Sequence, residues 1–434
     1  MSFTLMSLTL AILLILGLPI AISLLLSGMI GYMLVIGINP GIDALAQTAY
    51  SDLNSFVIIA IPLYIFMGQL MLKGEAGKDL FDLAHRLTYK LPGGLAIAAT
   101  IASTIFAAIS GSSTATAATI GSISIPEMRR RGYPRRLSAG CVAVSGTLGI
   151  LIPPSISFIL YSLVTSTSIN KLFLAGIIPG LLLAGLFMLY SVYAMYMYTD
   201  RETNRKSMTT SGEAPLPQIN IEMIGSLLII PVVLGGIYSG WFTPTEAAGV
   251  GVLYALIWTA GLKRTLSWPQ FMAATTASVQ TSAMILMLIA GASVFGNTLS
   301  LLQIPQDVAQ WMTHLQMNTW QFLIVINILY LILGMFMDAA AAILVTVPIL
   351  LPALQTMHID LIWFGVILVI NMEIGAVTPP VGMNLFVVKA ICPDYTLTDV
   401  LVGALPYALM GLFGLVLIMI FPDIALWLPH WSTH

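Results

Sequence analysis

The sequence predicts an all-α polytopic membrane protein built from two inverted structural repeats, each holding a re-entrant helical hairpin and a broken transmembrane helix. Three observations carry that reading. Of 434 residues, 58% are hydrophobic and 8% are charged, whereas soluble domains carry about 25% charged residues. Two long apolar stretches are interrupted by double prolines, in Ile150-Leu-Ile-Pro-Pro-Ser155 and in Gly375-Ala-Val-Thr-Pro-Pro380. Each proline removes a backbone donor and clashes with the preceding turn, and carbonyls freed inside hydrocarbon must face something polar within the protein. Finally, Pro153-Pro154 and Pro379-Pro380 lie 226 positions apart, Pro126 and Pro352 also 226, and Pro19 and Pro244 225.

In chain order, apolar runs at about 3–20 and 24–38 give two spans, and 39–53 is a polar loop without Lys or Arg. The first run, from Leu5, has no basic segment before it and reads as a retained span, not a leader peptide. A third span at about 54–72 leads into Lys73 to Leu91, a charged amphipathic connector lying on the membrane surface. Residues 92–126 are rich in Ala, Ser, Thr and Gly and carry no charge. Cations flank this segment on both sides, with Lys73, Lys78, Arg86 and Lys90 before it and Arg129, Arg130, Arg131, Arg135 and Arg136 after it. The positive-inside rule puts both clusters in the cytoplasm, so 92–126 enters and leaves on one side as a hairpin with its tip near Ile109-Ser110-Gly111. Pro126 and, in the second half, Pro352 close the two hairpins.

The broken segment 138–167 crosses outward, and 172–198 returns to a cytoplasmic linker at 199–220 holding Arg201, Arg205 and Lys206. The first repeat is therefore 1–198 and the second 221–434. Spans at 222–239 and 244–260 leave Lys263 and Arg264 inside, and 271–302 exits to a cation-free loop at 303–318. A second hairpin at about 319–354, with its tip near Met337-Asp338, enters from outside. The second broken helix, 361–391, and a last span of about 400–428 complete the chain. This threading puts fifteen of the sixteen Lys and Arg inside, all but Lys171, with both termini periplasmic.

Broken helices duplicated in two halves point to a secondary-transport site, because their freed carbonyls and half-helix ends can hold ions. A hard monovalent cation wants oxygen ligands, and the hairpin-tip hydroxyls could complete such a shell. Neither hairpin nor break holds a Lys or Arg, apart from Lys389 near a cytoplasmic end. An anionic substrate would then have its charge met by bound cations and the positive ends of half-helices. Asp338 is a carboxylate at a hairpin tip, where charge is costly and usually functional. Thr243-Pro-Thr-Glu246 fits a capping box, so Glu246 reads as structural; Glu373 and Asn384 border the second break.

Enzymatic readings fit poorly. Asp338 is the single aspartate placed deep in the membrane, all five histidines fall in loops or at the terminus, and no phosphate-binding glycine loop is present. Cys141 and Cys392 form neither a metal pattern nor a disulfide framework. No nucleic-acid partner is expected. A scaffold does not need duplicated broken helices, and a channel would carry flux without a stoichiometric ion gradient.

Several motifs together resemble the large membrane subunit of a TRAP (tripartite ATP-independent periplasmic) transporter. They are Ile109-Ser-Gly-Ser-Ser-Thr-Ala-Thr116, Gly146-Thr-Leu-Gly-Ile-Leu-Ile-Pro-Pro-Ser155, Leu172-Phe-Leu-Ala-Gly-Ile-Ile-Pro-Gly180, Thr243-Pro-Thr-Glu-Ala-Ala248 and Gly375-Ala-Val-Thr-Pro-Pro-Val-Gly382. The resemblance implies a large permease of the bacterial inner membrane that works as a sodium-driven, elevator-type symporter. It implies two partners, a small four-helix membrane subunit and a periplasmic binding protein that delivers an organic acid. The family's first sodium site maps onto Ser110, Ser113, Gly149, Ile152 and Pro154. Internal symmetry and resemblance place a second at Gly334, Gly375, Thr378 and Val381. Asp338, Asn384 and Ser112 are candidate substrate contacts. The alternative is a stand-alone sodium-coupled anion symporter or a sodium/proton antiporter of related architecture.

Overall fold

The computed structural model describes residues 2–198 and 219–431, so the expected linker at 199–220 lies almost wholly outside the described residues. Those residues are helical almost throughout. The first half runs α1 (Ser2–Ile15), α2 (Ile20–Ile36), α3 (Ile38–Leu53), α4 (Ala60–Lys73), α5 (Ala76–Thr88), α6 (Gly94–Ser110), α7 (Ser113–Arg130), α8 (Arg135–Ser145), α9 (Ile156–Thr165) and α10 (Ile169–Tyr198). The second runs α11 (Ile221–Tyr238), α12 (Pro244–Leu256), α13 (Trp268–Leu301), α14 (Ile304–His314), α15 (Thr319–Phe336), α16 (Ala339–Thr356), α17 (Leu361–Gly375), α18 (Met383–Ile391), α19 (Leu397–Ile420) and α20 (Asp423–Trp431). Among the described residues, eight helices are long and apolar enough to cross a membrane. On α15 the residues Trp320, Ile324, Val325, Ile328, Leu329 and Ile332 are exposed, as a lipid-facing surface requires.

Local chemistry explains the helix starts. Thr243 and Glu246 form the expected capping box, with Pro244 at the first helical position, and Ser267 with Gln270, Asn318 with Gln321 and Thr396 with Asp399 repeat the device. Asp360 accepts from the amides of Ile362 and Trp363 at 2.8 and 2.9 Å, so α17 begins there. The charged connector after α4 is a helix, but it is not merely a surface one. On α5 the residues Ala76, Asp79, Leu80, Phe81, Ala84, His85 and Thr88 form a buried face that packs on α6 and α11.

Four expectations are corrected. Residues 39–53, read as a polar loop, form α3, because Gly and Pro near its start did not prevent an amphipathic turn pattern. The loop at 303–318 contains α14, which packs against α16. The last span stops at Ile420, and after Phe421 and Pro422 the short α20 begins. Pro126 and Pro352 lie inside α7 and α16 instead of closing the hairpins, so the second arms run on to Arg130 and Thr356.

The packing is exchanged between halves in matched pairs. The second hairpin arm α7 packs on α18, the far half of the other broken helix, while α16 packs on α9. Likewise α10 packs on α17 and α19 on α8, and α2 packs on α13 and α4 on α12. The α8–α19 contact is backbone to backbone: a Cβ on Gly140 would stand 2.0 Å from the Gly403 carbonyl oxygen, and one on Gly403 would stand 2.0 Å from that of Arg136.

Candidate ion and substrate site

The first break follows from its residues in sequence. After α8 the chain tightens into a 3-10 turn over Gly146–Ile150, and it opens at Leu151 to Ser155 before α9 starts. The Pro153–Pro154 bond is cis. Ser155 caps α9 by accepting from the Phe158 amide at 3.3 Å, and its hydroxyl donates to the Ile150 carbonyl. The first hairpin turns against this break. Gly111, at φ +61°, takes the left-handed conformation between α6 and α7, and Ser112 caps α7 by accepting from the Ala115 amide at 3.3 Å.

The first hairpin tip meets the first break at Gly149 and Pro154, whereas the Ile152 side chain packs on Gly180 of α10. A Cβ on Gly149 would lie 3.1 Å from Ala107 Cβ and 3.4 Å from the Ser112 carbonyl oxygen, and one on Gly111 would lie 3.9 Å from the Pro154 carbonyl oxygen. Ser110 Oγ shares a 2.8 Å hydrogen bond with Thr116 Oγ1 and lies 3.3 Å from the Ser112 carbonyl. Ser113 is buried, and its hydroxyl donates to Asn384 Oδ1 at 3.4 Å. Asn384, expected beside the second break, thus joins the first hairpin; its Nδ2 donates to the Ala143 carbonyl at 3.1 Å, and the residue is fully buried. Both ends of its amide are committed to protein partners.

At the second break, α17 ends at Gly375 and the chain passes through the cis Pro379–Pro380 pair to Gly382, where α18 follows. The first arm of the second hairpin crosses it closely. A Cβ on Gly375 would lie 2.6 Å from Gly334 Cα, and the Gly382 amide donates to the Met335 carbonyl at 3.3 Å. Gly334 and Gly375 are therefore in backbone contact, with Thr378 and Val381 three and six residues further on. Thr378 Oγ1 donates to the Ile374 carbonyl at 2.6 Å. A hydroxyl that donates in this way keeps its oxygen lone pairs available to a cation. Asp338 caps α16, its Oδ2 accepting from the Ala340 amide at 3.1 Å.

The two breaks differ in exposure. Gly149, Pro153, Pro154 and Ser155 are buried and Ile152 is half-buried, whereas Pro379, Pro380, Val381 and Asp338 are exposed. The donors at both places are carbonyl and hydroxyl oxygens, and among the described residues no group of three His, Cys, Asp or Glu side chains gathers as transition-metal ligands do. Such an oxygen set suits a hard monovalent cation. Lys389 does not reach the break; its ammonium donates to the Pro393 and Tyr395 carbonyls at 2.8 and 2.6 Å.

Three features of the fold were not legible in the sequence. Asn371 Nδ2 donates to Asn327 Oδ1, a buried amide pair between α17 and α15. Asp79 and Lys263 form a buried ion pair, with 2.7 Å between Oδ2 and Nζ. Glu373, two residues before Gly375, is 2% exposed, and its Oε1 finds no hydrogen-bond partner among the described residues. The two pairs join residues far apart in the chain, so no local spacing announces them.

A family model described as the DctM component of tripartite ATP-independent periplasmic transporters matches residues 7–424. The C4-dicarboxylate TRAP transporter large permease protein DctM of Pseudomonas aeruginosa is 39% identical over 410 residues, 93% of each chain. The sialic acid TRAP transporter large permease protein SiaM of Vibrio cholerae is 34% identical over 420 residues, 95% of each chain. The isethionate TRAP transporter permease protein DctMQ of Oleidesulfovibrio alaskensis is 40% identical over 381 residues, 88% of this chain and 59% of that longer one. A crystal structure of the Alcanivorax borkumensis YdaH transporter superposes with a TM-score of 0.61 over 91% of this chain and 89% of that one. At 15% identity, that likeness shows the fold alone.

Proposed function

The chain belongs to the DctM family, the large permease component of tripartite ATP-independent periplasmic transporters, and from that premise we propose that it carries a small organic acid inward by sodium-coupled symport. The observation that carries the reading is that each of two broken helices is met at close backbone range by a hairpin, with carbonyl and hydroxyl oxygens present at both places. Sodium is a co-substrate here. Ser110, Ser113, Gly149, Ile152 and Pro154 supply the first oxygen set; Gly334, Gly375, Thr378 and Val381 supply the second. Carbonyl ligation tolerates the apolar side chains of Ile152 and Val381. With Lys389 engaged elsewhere, sodium and half-helix N-termini meet the substrate's carboxylate, with Ser112, Asp338 and Asn384 nearby. Relatives named for C4-dicarboxylate, sialic acid and isethionate support an acidic substrate. A family named as tripartite, and a relative named as a DctMQ permease, support a small membrane subunit and a periplasmic binding protein as partners.

Uptake into proteoliposomes containing this chain and its small partner, with candidate binding proteins outside, tests this reading. Uptake is expected to need the binding protein and an inward sodium gradient. Indifference to sodium would refute the coupling, and uptake without a binding protein would favour a stand-alone symporter.

The exchanged packing of the two halves supports inverted repeats, with the hairpins and broken helices moving as a unit against outer helices such as α11 and α12. Both termini and residues 303–318 are then periplasmic. Single-cysteine labelling in a background lacking Cys141 and Cys392 checks both points. A cysteine at 310 should react with impermeant reagent from the periplasm and one at 264 should not. Cysteines at 110 and 338 should change accessibility together as sodium and substrate are added, while one at 224 stays constant. Accessibility at 110 and 338 that never changes rules out the elevator.

A further inference from the structure

The end of α7 and the turn that follows α18 enclose a cavity of about 460 Å³. It lies between the second arm of the first hairpin and the far half of the second broken helix, which pack against each other. One wall is apolar, formed by Ile125, Pro126 and Ile391, and the other carries Arg129, Arg130, Asp394 and Tyr395. The turn that holds Tyr395 is tied down. Its amide donates to the Cys392 carbonyl at 3.0 Å, and Lys389 Nζ donates to the Pro393 and Tyr395 carbonyls.

Cations outnumber carboxylates at this rim. Arg129 Nη1 lies 2.8 Å from Asp394 Oδ2, but the two side chains are 60% and 41% exposed, so the pair is hydrated and weak and an incoming anion can share the guanidinium. Arg130 is exposed and stands 3.7 Å from Glu127, which Arg131 holds more closely at 3.0 Å. Arg135 adds its charge from the side: its guanidinium carbon lies 5.6 Å from the centre of the Tyr395 ring, and its Nη1 donates to the Asp394 carbonyl at 3.4 Å. The positive-inside rule accounts for arginines on this face without any ligand. It does not account for Tyr395, which is 1% exposed and whose Oη finds no hydrogen-bond partner among the described residues. A buried phenol with its proton unpaired is costly, and an acceptor oxygen entering the cavity would relieve it.

We propose that this cavity binds the headgroup of an anionic phospholipid, whose phosphate oxygens accept from Arg129, Arg130 and the Tyr395 hydroxyl while its glycerol lies on Ile125, Pro126 and Ile391. Arginine forks match phosphate oxygens, and basic pockets at the cytoplasmic ends of membrane helices suit lipid headgroups. The apolar wall at the end of a membrane helix favours a lipid over a free anion. The site is independent of the sodium-coupled reading above.

The test is equilibrium binding of radiolabelled dihexanoyl phosphatidylglycerol to the detergent-purified full chain, with dihexanoyl phosphatidylcholine, inorganic phosphate and succinate as competitors. Wild type is expected to bind phosphatidylglycerol and to prefer it about tenfold over phosphatidylcholine, whose choline cation faces the arginines. Tyr395→Phe keeps the ring beside Arg135 and deletes the hydroxyl; it should weaken binding about tenfold, as should Arg129→Gln and Arg130→Gln. Arg264→Gln removes an exposed cation that does not line the cavity and should change nothing. Arg129 and Arg130 are exposed, so their variants keep the comparison decisive if Tyr395→Phe does not fold. Wild-type affinity in Tyr395→Phe, or equal losses in Arg130→Gln and Arg264→Gln, would reduce the arginines to diffuse surface charge and overturn the site. Inorganic phosphate or succinate displacing the probe as effectively as phosphatidylglycerol does would overturn the lipid as its occupant, and a wild-type chain that binds no phosphatidylglycerol would overturn both.

Discussion

Lys263→Met is expected to destabilise the protein by about 3–5 kcal/mol, the cost of leaving a buried charge without its partner. Lys263 Nζ lies 2.7 Å from Asp79 Oδ2 and 2.8 Å from the Gly74 carbonyl, and the two side chains are 3% and 9% exposed. Methionine keeps the apolar stem and removes the ammonium, and the Asp79 carboxylate is left with the Ser226 hydroxyl as its donor. That hydroxyl in turn accepts from Trp258 Nε1 at 3.4 Å, so the loss spreads to the packing of α11 against the π-helical turn at Ile257–Leu262. Adding Asp79→Asn should restore much of the stability, because the buried charge is then gone and the Ser226 contact remains. Thermal unfolding of the detergent-purified protein measures both. A single variant that melts with wild type would show that water reaches Asp79 and that the pair contributes little. In the proposed elevator this pair pins α5, the arm that leads to the first hairpin, to the outer helices. Lys263→Met is accordingly expected to leave the sodium concentration for half-maximal uptake unchanged in whatever protein stays folded.

What sequence could and could not show divides along the range of the interaction. Pro153-Pro154 and Pro379-Pro380 announce the breaks because proline acts on its own backbone, and Gly111 between two serines announces a turn for the same reason. The capping box at Thr243 to Glu246 is local and was legible to the residue. Helix α3 was not, since a segment of modest hydrophobicity between two apolar runs reads as a loop until it is seen packing on α2 and α13. Asp79 on a charged connector reads as solvated, and nothing near it says that Lys263, far along the chain, will bury it. The contact between Gly334 and Gly375 was reached through internal symmetry and resemblance, which carry long-range information that periodicity lacks. Asn384 illustrates the limit: its place beside the second break was legible, but its bond to Ser113 of the first hairpin depends on how the halves interlock.

Thr378→Val is expected to weaken the sodium dependence of uptake by roughly 5- to 150-fold, corresponding to about 1–3 kcal/mol for one lost oxygen. Thr378 Oγ1 is the side-chain oxygen at the second break, three residues beyond the contact of Gly334 with Gly375. Its proton goes to the Ile374 carbonyl at 2.6 Å, which orients the lone pairs away from that carbonyl. Valine keeps the shape and deletes the oxygen. The fold should tolerate the change, because Thr378 is half-buried and the Ile374 carbonyl still accepts from the Val377 amide at 3.2 Å. Thr378→Ser restores the oxygen and should largely restore sodium dependence. Because linkage is reciprocal, weaker sodium binding must also appear as weaker substrate binding at fixed sodium. If the hydroxyl only ties its own helix turn, Thr378→Val will lower the melting temperature slightly and leave the half-maximal sodium concentration where it was. That outcome would remove the side chain from the site while leaving the Gly334, Gly375 and Val381 carbonyls as its remaining oxygen ligands.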